Sequence, residues 1–355
     1  MLSAQSAPAS RLDFSGLLVA GYSISTNPEA QGTNKFELDR VYLNFRMPVS
    51  ERLRIRVTPD ISSQASGSGY VIRMKYAYLQ YDHPSSAAGF GGFLRAGLLQ
   101  TAIVKHQETF WPRWMGKVAV DRFGYVQSAD VGVSAQLDFP GERGELQVVV
   151  SNGNGYTNPE TDRFKSYAAR LTLTPFAAGK TGLLSTLAVS PWVDINSAAS
   201  RFVNGGAGQV GPVGDALNRN RYGVWIGIRD PRLTIAGGWS ERVDGAESGA
   251  NTIVSPRVET NVRGSVASGF IMVRPMQLID SSSTAPLGVL LRYDAIKPDN
   301  SIMQEAHMFQ ASLLFDMVRS GLSRLALDYQ ETLGAMSAAS IAPDKRFQLR
   351  LMVDF

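Results

Sequence analysis

The chain has 355 residues, 35 Lys+Arg against 31 Asp+Glu for a net charge of +4, and no cysteine. The missing cysteine excludes a disulfide framework and thiolate metal sites, and so small a net charge argues against a nucleic-acid partner unless it is concentrated somewhere. No stretch approaches the ~18 consecutive apolar residues of a spanning helix, while 34 glycines and 17 prolines among short Val, Leu and Tyr runs favour turns and strands.

The opening MLSAQSAPAS (1–10) is small and polar. Its SAQSAPA reads either as the tail of a trimmed secretory leader, leaving a flexible segment, or as a frayed N-terminus. From there period-2 alternation predicts strands at 11–24, 36–48, 51–62, 70–82, 91–104, 128–139, 143–153, 165–176, 182–194, 219–229, 231–242, 257–275, 286–296, 304–317, 320–331 and 345–355. In the sixth, Val131, Val133, Ala135 and Leu137 alternate with Asp130, Ser134, Gln136 and Asp138. Most of these strands exceed the five or six residues usual in globular sheets and match the roughly nine to eleven with which a tilted strand crosses a bilayer.

The joins alternate too. Those after strands two, six, ten and fourteen are tight (PVSE, PGER, DP, RSG), whereas those after one, five, seven, nine, eleven and fifteen are long and rich in Gly, Asn, Ser and charge. Short turns on one rim and long loops on the other predict a single domain over 11–355, a 16-stranded antiparallel transmembrane β-barrel. The joins near 83–90 and 276–285 are longer than that plan prefers. Lipid cannot satisfy a strand edge, so the closing RFQLRLMVDF (346–355) must pair with the first strand. Phe347, Leu349, Leu351, Val353 and Phe355 then meet acyl chains, and Arg346 and Arg350 meet water. A final strand ending in Phe also resembles the recognition signal of the outer-membrane assembly machinery, with Phe355 carrying the match.

Four blocks, FELDRVYLNFRMPVSERLRIRVTPDIS (36–62), FLRAGLLQTAIV (93–104), ADVGVSAQLDF (129–139) and VVVSNGNGYTNPETDRFKSYAARLTLTPF (148–176), resemble the phosphate-selective porins called porin O and porin P. Beyond 176 the match thins to strand pattern and the closing LRLMVDF. The resemblance implies a homotrimer in the outer membrane of a Gram-negative bacterium, a third extracellular loop folded into the lumen, and basic residues along the anion path.

The residues themselves agree in sign. Leu53, Ile55 and Val57 alternate with Arg52, Arg54 and Arg56, which predicts three guanidinium groups climbing the inner wall at roughly 7 Å per step, since an arginine facing lipid costs about 2–4 kcal/mol near the midplane. Arg40 and Arg46 share the wet face of strand two with Tyr42 and Asn44. Arg73 and Lys75 alternate with Ile72, Met74 and Tyr76, and Arg95 sits between Leu94 and Ala96. Guanidinium groups hold their charge and offer a fork of donors, so such a column suits oxyanions. The segment KHQETFWPRWMGKVAVDRFGYVQ (105–127) follows the fifth strand, where the resemblance places the constriction loop, with Lys105, Arg113 and Lys117 as candidate lumen contacts; a surface loop folded outward or packed at a trimer interface is the alternative.

The inner face is not uniformly basic: Asp130, Asp138, Glu145, Asp194, Asp294, Asp316 and Asp328 take wet positions among Arg170, Arg263, Arg292 and Arg324, which predicts a field across the pore. GAGQVG (206–211) has dinucleotide-loop spacing but neither a buried strand before it nor a helix after it. His83, His106 and His307 lack metal-ligand spacing, so no cofactor and no enzymatic activity are expected. The sequence thus predicts an outer-membrane porin passing small anions such as phosphate, in contact with membrane lipid and lipopolysaccharide. A weakly selective general porin, or an adhesive barrel binding through loops 195–218 and 243–256, is the alternative.

Overall fold

Seventeen strand segments form one antiparallel sheet that closes on itself. The computed structural model describes residues 11–26, 32–63, 69–160, 162–177, 182–199, 216–249, 252, 254–255, 258–318, 322–334 and 344–355; GAGQVG, the 1–10 segment and much of loop 195–218 lie outside them. The strands are β1 (Asp13–Ser25), β2 (Asn34–Pro48), β3 (Leu53–Ser63), β4 (Tyr70–His83), β5 (Gly91–Gln100), β6 (Ala129–Asp138), β7 (Gly144–Ser151), β8 (Ser166–Leu173), β9 (Ala188–Ile195, continued by Ser197–Ala199), β10 (Ala216–Arg229), β11 (Leu233–Ser248), β12 (Val258–Val273), β13 (Leu287–Lys297), β14 (Ala306–Asp316), β15 (Ser323–Leu333) and β16 (Asp344–Asp354). Because the short Ser197–Ala199 segment and Ala188–Ile195 both pair with β10, the barrel has 16 strands.

Closure is made by β1 and β16, in register from Leu17↔Asp354 to Ser25↔Arg346. Beyond the last pair, Phe355 N–H donates to Gly16 O at 3.0 Å and Gly16 N–H to Phe355 O at 2.6 Å, so the final residue is stitched to the first strand. Gly16 leaves room for the ring, since a Cβ there would lie 2.2 Å from Phe355 Cζ. Phe355, Phe14 and Phe45 then form an aromatic group at the short-turn rim, with centroids 5.1 and 6.0 Å apart, of the kind that girdles membrane barrels.

The outward face is apolar, with Leu94, Val131, Val133, Leu327 and Phe347 exposed. Val133→Arg, near the middle of β6, should lower folding stability by about 2–4 kcal/mol, whereas Val133→Leu should not. Urea-dependent folding into phosphatidylcholine vesicles checks this, and equal midpoints for the two variants would refute the outward assignment.

The buried core lies inside the ring. After β5 the chain forms α1 (Ala102–Gln107), a 3-10 turn at Arg113–Met115 and α2 (Ala119–Arg122), all within the barrel. Phe110, Trp111, Trp114, Met115, Val118 and Val120 join inward residues of the opposite wall, including Trp192, Trp225, Phe270, Leu290 and Met352, in one buried cluster. The expected fifth strand therefore ends four residues early: Ile103 and Val104 are 1% and 0% exposed and belong to this core, not to a lipid face. In the ninth, residues Leu183–Thr186 make a 3-10 turn before the strand starts.

A second departure concerns phase. Between Thr58/Pro59 of β3 and Met74/Tyr76 of β4 the register shifts by one residue, leaving Lys75 bulged. A bulge turns two successive side chains to one side, so Lys75 and Tyr76 are both buried inward while Ile72, Met74 and Leu79 stay outward. Tyr76, expected among the lipid-facing residues, therefore faces the lumen.

Candidate functional site: the lumen wall and the in-folded loop

A loop inside a barrel carries carbonyls that no strand can satisfy, and buried carbonyls need donors. The wall supplies them from six side chains. Arg170 Nε donates to Ala102 O at 3.1 Å, Arg221 Nε to Tyr125 O at 3.1 Å and Arg292 Nη1 to Lys117 O at 2.7 Å. Gln310 Nε2 reaches Met115 O at 3.3 Å, and Arg350 and Arg40 reach Trp114 O and Arg113 O at 3.4 Å each. The anchors come from β2, β8, β10, β13, β14 and β16, so the segment is held around most of the circumference.

The candidate residues divide accordingly. Arg40 serves the loop and is nearly buried. Lys75, 1% exposed, donates to Ser128 Oγ at 2.5 Å and lies 4.2 Å from the Tyr156 ring centroid. Arg113 is enclosed by Glu108 (3.1 Å) and Asp121 (3.0 Å). Burial works against its charge, yet Glu108, Tyr42 and Asp121 hold its proton more tightly than usual. It is a paired loop residue and not the free lumen cation expected. Lys117 is half exposed, 3.7 Å from Asp121, and Lys105 is exposed on α1.

Toward the short-turn rim the wall is different. Arg46, Arg54, Arg56 and Arg95 face inward and make no bond to the loop among the described residues. Arg46 lies 3.3 Å from Asp13 and Arg54 pairs with Asp82. Arg56 donates to Asn44 Oδ1 (2.7 Å) and Thr58 Oγ1 (3.0 Å), its guanidinium 4.7 Å from the Tyr76 centroid. Arg95 donates to Gln80 Oε1 at 2.6 Å, 3.8 Å from the Phe93 centroid and 5.1 Å from that of Tyr78. The two thus rest on neutral acceptors and aromatic faces, where cation–π attraction positions a guanidinium without cancelling its charge. Below the loop, a space of ≈ 880 Å³ bounded by His106, Thr109, Glu145, Thr172 and Arg229 leaves room for many waters at about 30 Å³ each.

Two positions need correction. Arg52 precedes β3 in the turn, and its guanidinium reaches the hydroxyl of Tyr81, an outward residue, at 3.5 Å. The column therefore begins at Arg54. Arg263 also faces outward, 3.5 Å from Glu241, itself bonded by Tyr222. Arg73 lies across from Asp60, toward the long-loop rim, and is exposed.

The anchoring role of Arg170, Arg221, Arg292 and Arg350 was not read from sequence, although a signal exists. Leu290 sits between Val289 and Leu291, and Met352 between Leu351 and Val353. Each breaks the alternation with an inward apolar side chain, which an all-water lumen would not require.

His106 does not activate the serine beside it. Its Nε2 lies 2.7 Å from Ser190 Oγ, but its Nδ1 lies 3.2 Å from Arg170 Nη1. A guanidinium can only donate, so Nδ1 accepts and Nε2 carries the hydrogen toward Ser190, the wrong tautomer for a base at that hydroxyl. Burial, then Arg170, pushes its pKa from 6.5 to about 3. Where its pKa is depressed by folding, unfolded chains bind the extra proton, so this contribution is complete above about 6.5 and is lost as pH falls toward 3. His106→Gln should flatten the loss of loop seating across that window, measured as protease cleavage between 105 and 127; an unchanged profile would exclude His106 as the cause. Among the described residues no group of three potential metal ligands occurs.

No protein-family model matches the sequence, and no curated protein matches it. Solved structures do. The anion-selective porin from Comamonas acidovorans aligns with TM-score 0.64 at 10% identity over 98% of this chain and 100% of that one. OmpF of Salmonella typhi gives 0.63 at 11% identity over 98% of each chain. OmpT of Vibrio cholerae in its trimer form gives 0.60 at 9% identity over 98% and 100%. At such identities the likeness is one of fold. The chain is a closed barrel with the fold of the outer-membrane porins, and its outward apolar face is that of a barrel seated in a membrane.

Proposed function

We propose that this barrel is a passive diffusion channel, not an enzyme, with a preference for small anions such as phosphate and other oxyanions. One observation carries the preference: Arg56 and Arg95 project into the lumen with neutral partners only, and no ion pair compensates either among the described residues. The partly compensated Arg46 and Arg54 extend the same wall. The resemblance to phosphate-selective porins and the fold shared with an anion-selective porin are consistent with this reading. A homotrimer embedded in lipid and lipopolysaccharide is part of the proposal, supported by the trimer form of one structural neighbour.

A weakly selective pore is the second reading, favoured by Asp138 and Glu145, which share Gln136 Nε2 at 2.7 and 3.0 Å on the neighbouring wall. Reversal potentials in a potassium chloride gradient across planar bilayers decide between them. The expected sign is that of chloride permeation, and a zero or potassium-directed potential would overturn the anion reading.

A further inference from the structure

The join between β12 and β13 is longer than a turn on the short rim needs. It opens with a third short helix, α3 (Pro275–Ile279). Pro275 stands in the first helical turn, where no intrahelical bond would use the N–H it lacks. Asp280 ends the helix by turning its carboxylate onto Ser282, whose N–H and Oγ lie 2.9 and 2.7 Å from Oδ1. Five residues cannot hold a helix alone, so the flanks hold it. Arg274 N–H donates to Arg232 O at 2.8 Å before the helix, and Asp316 N–H donates to Pro286 O at 3.0 Å after the loop. The side chains of Arg274 and Asp316 also pair, at 2.5 Å, so the nearest charges cancel.

None of the residues of α3 is buried, and Met276, Leu278 and Ile279 are exposed, Ile279 to 82%. These apolar side chains prolong the outward face of the barrel. Val273, paired with Val289, leads into the helix, and the chain returns through the exposed Leu287, paired with the exposed Phe315. Met317 and Val318, on the turn that follows β14, add two more exposed apolar side chains at the same rim. The second half of the join, Asp280 to Thr284, is polar throughout. Exposed apolar patches of this kind mark a contact with lipid or protein. This one runs without a break into a face already seated in lipid. Segments divided into an apolar and a polar part settle at the membrane surface, the apolar part about 5–10 Å into the boundary between headgroups and acyl chains.

We propose that α3, with Met317 and Val318 at the same rim, is an interfacial anchor that dips into the phospholipid leaflet at the short-turn rim. Interfacial anchors set how deep and at what angle a spanning protein sits. This one stands on a single side of the barrel, at β12–β14, and so fixes its depth and tilt from that side. The inference rests on the membrane seating of the outward face and is independent of the ions that the lumen passes.

Because the chain has no cysteine, single labels can test this. Ile279→Cys, Ser282→Cys and Val133→Cys, each carrying one nitrobenzoxadiazole fluorophore, are folded into phosphatidylcholine vesicles that contain lipid nitroxides. The label at 133, on the lipid face of β6, should be quenched most by nitroxides near the acyl-chain ends. The label at 279 should be quenched most by nitroxides near the headgroups, and severalfold more than the label at 282, which should respond to aqueous iodide instead. Equal iodide quenching at 279 and 282, with 133 still quenched from the lipid, would overturn the anchor alone. A label at 133 that no lipid nitroxide quenches would overturn the membrane seating and the anchor together. Shielding at 279 from both quenchers that grows with the protein-to-lipid ratio would overturn the anchor in favour of a contact between copies. Met317→Cys should behave as Ile279→Cys does, so the test stands if either variant fails to fold.

Discussion

Arg292→Ala is expected to unseat the in-folded segment. The guanidinium closes both oxygens of Asp294, whose side chain is 0% exposed, donates to Lys117 O, and lies 4.4 Å from the Trp111 ring centroid. Removing it strands a buried carboxylate, a change that costs about 3–5 kcal/mol when one partner of a buried pair is lost, and frees a loop carbonyl besides. The double variant Arg292→Met with Asp294→Asn removes both charges while keeping volume, and should recover most of that loss. The heat required for unfolding in detergent, followed by gel mobility, reads the stability. Cleavage within 105–127 by an added protease reads the seating. Equal unfolding temperatures for the single and double variants would show that the stranded carboxylate is not the cause.

That expectation depends on a division among arginines that the sequence does not display. All sixteen strands were legible because lipid on one side and water on the other impose period 2, while three boundaries were not: the inward apolar Ile103 and Val104 blurred the end of β5, the 3-10 turn at Leu183–Thr186 delays β9, and β11 runs on to Ser248, into the expected loop 243–256. Arginines on the wet face look alike in sequence whether they point at water or at a loop carbonyl. Arg40 and Arg292 differ from Arg56 and Arg95 in the loop carbonyl brought to each, and Arg292 also in its pairing with Asp294 two residues along its own strand. The bulge at Lys75 is equally silent, since it lies in the register between two strands, and it moves Tyr76 to the face where Arg56 rests on it. The in-folded loop was partly legible from its length and tryptophans; its anchoring partners, contributed by six strands, were not.

Neutralising Arg54, Arg56 and Arg95 together, each to Gln, is expected to remove most of the proposed anion preference, whereas Arg52→Gln should leave it unchanged. The contrast follows from position: Arg52 lies in the turn and bonds outward to Tyr81, while the other three face the lumen with a single paired carboxylate, Asp82. A unit charge about 4 Å from a passing ion in water is worth roughly 1 kcal/mol, a factor of about five in local occupancy, and the three act on the same stretch of path. Loss of Arg54 also leaves Asp82 uncompensated, which reinforces the shift toward cations. The anion-to-cation permeability ratio from reversal potentials should therefore fall by about fivefold or more, and less steeply at high ionic strength, where a Debye length of about 3 Å at 1 M screens these charges. A triple variant with the wild-type ratio at low salt, or an Arg52→Gln variant that shifts as far, would remove this wall from the ion path.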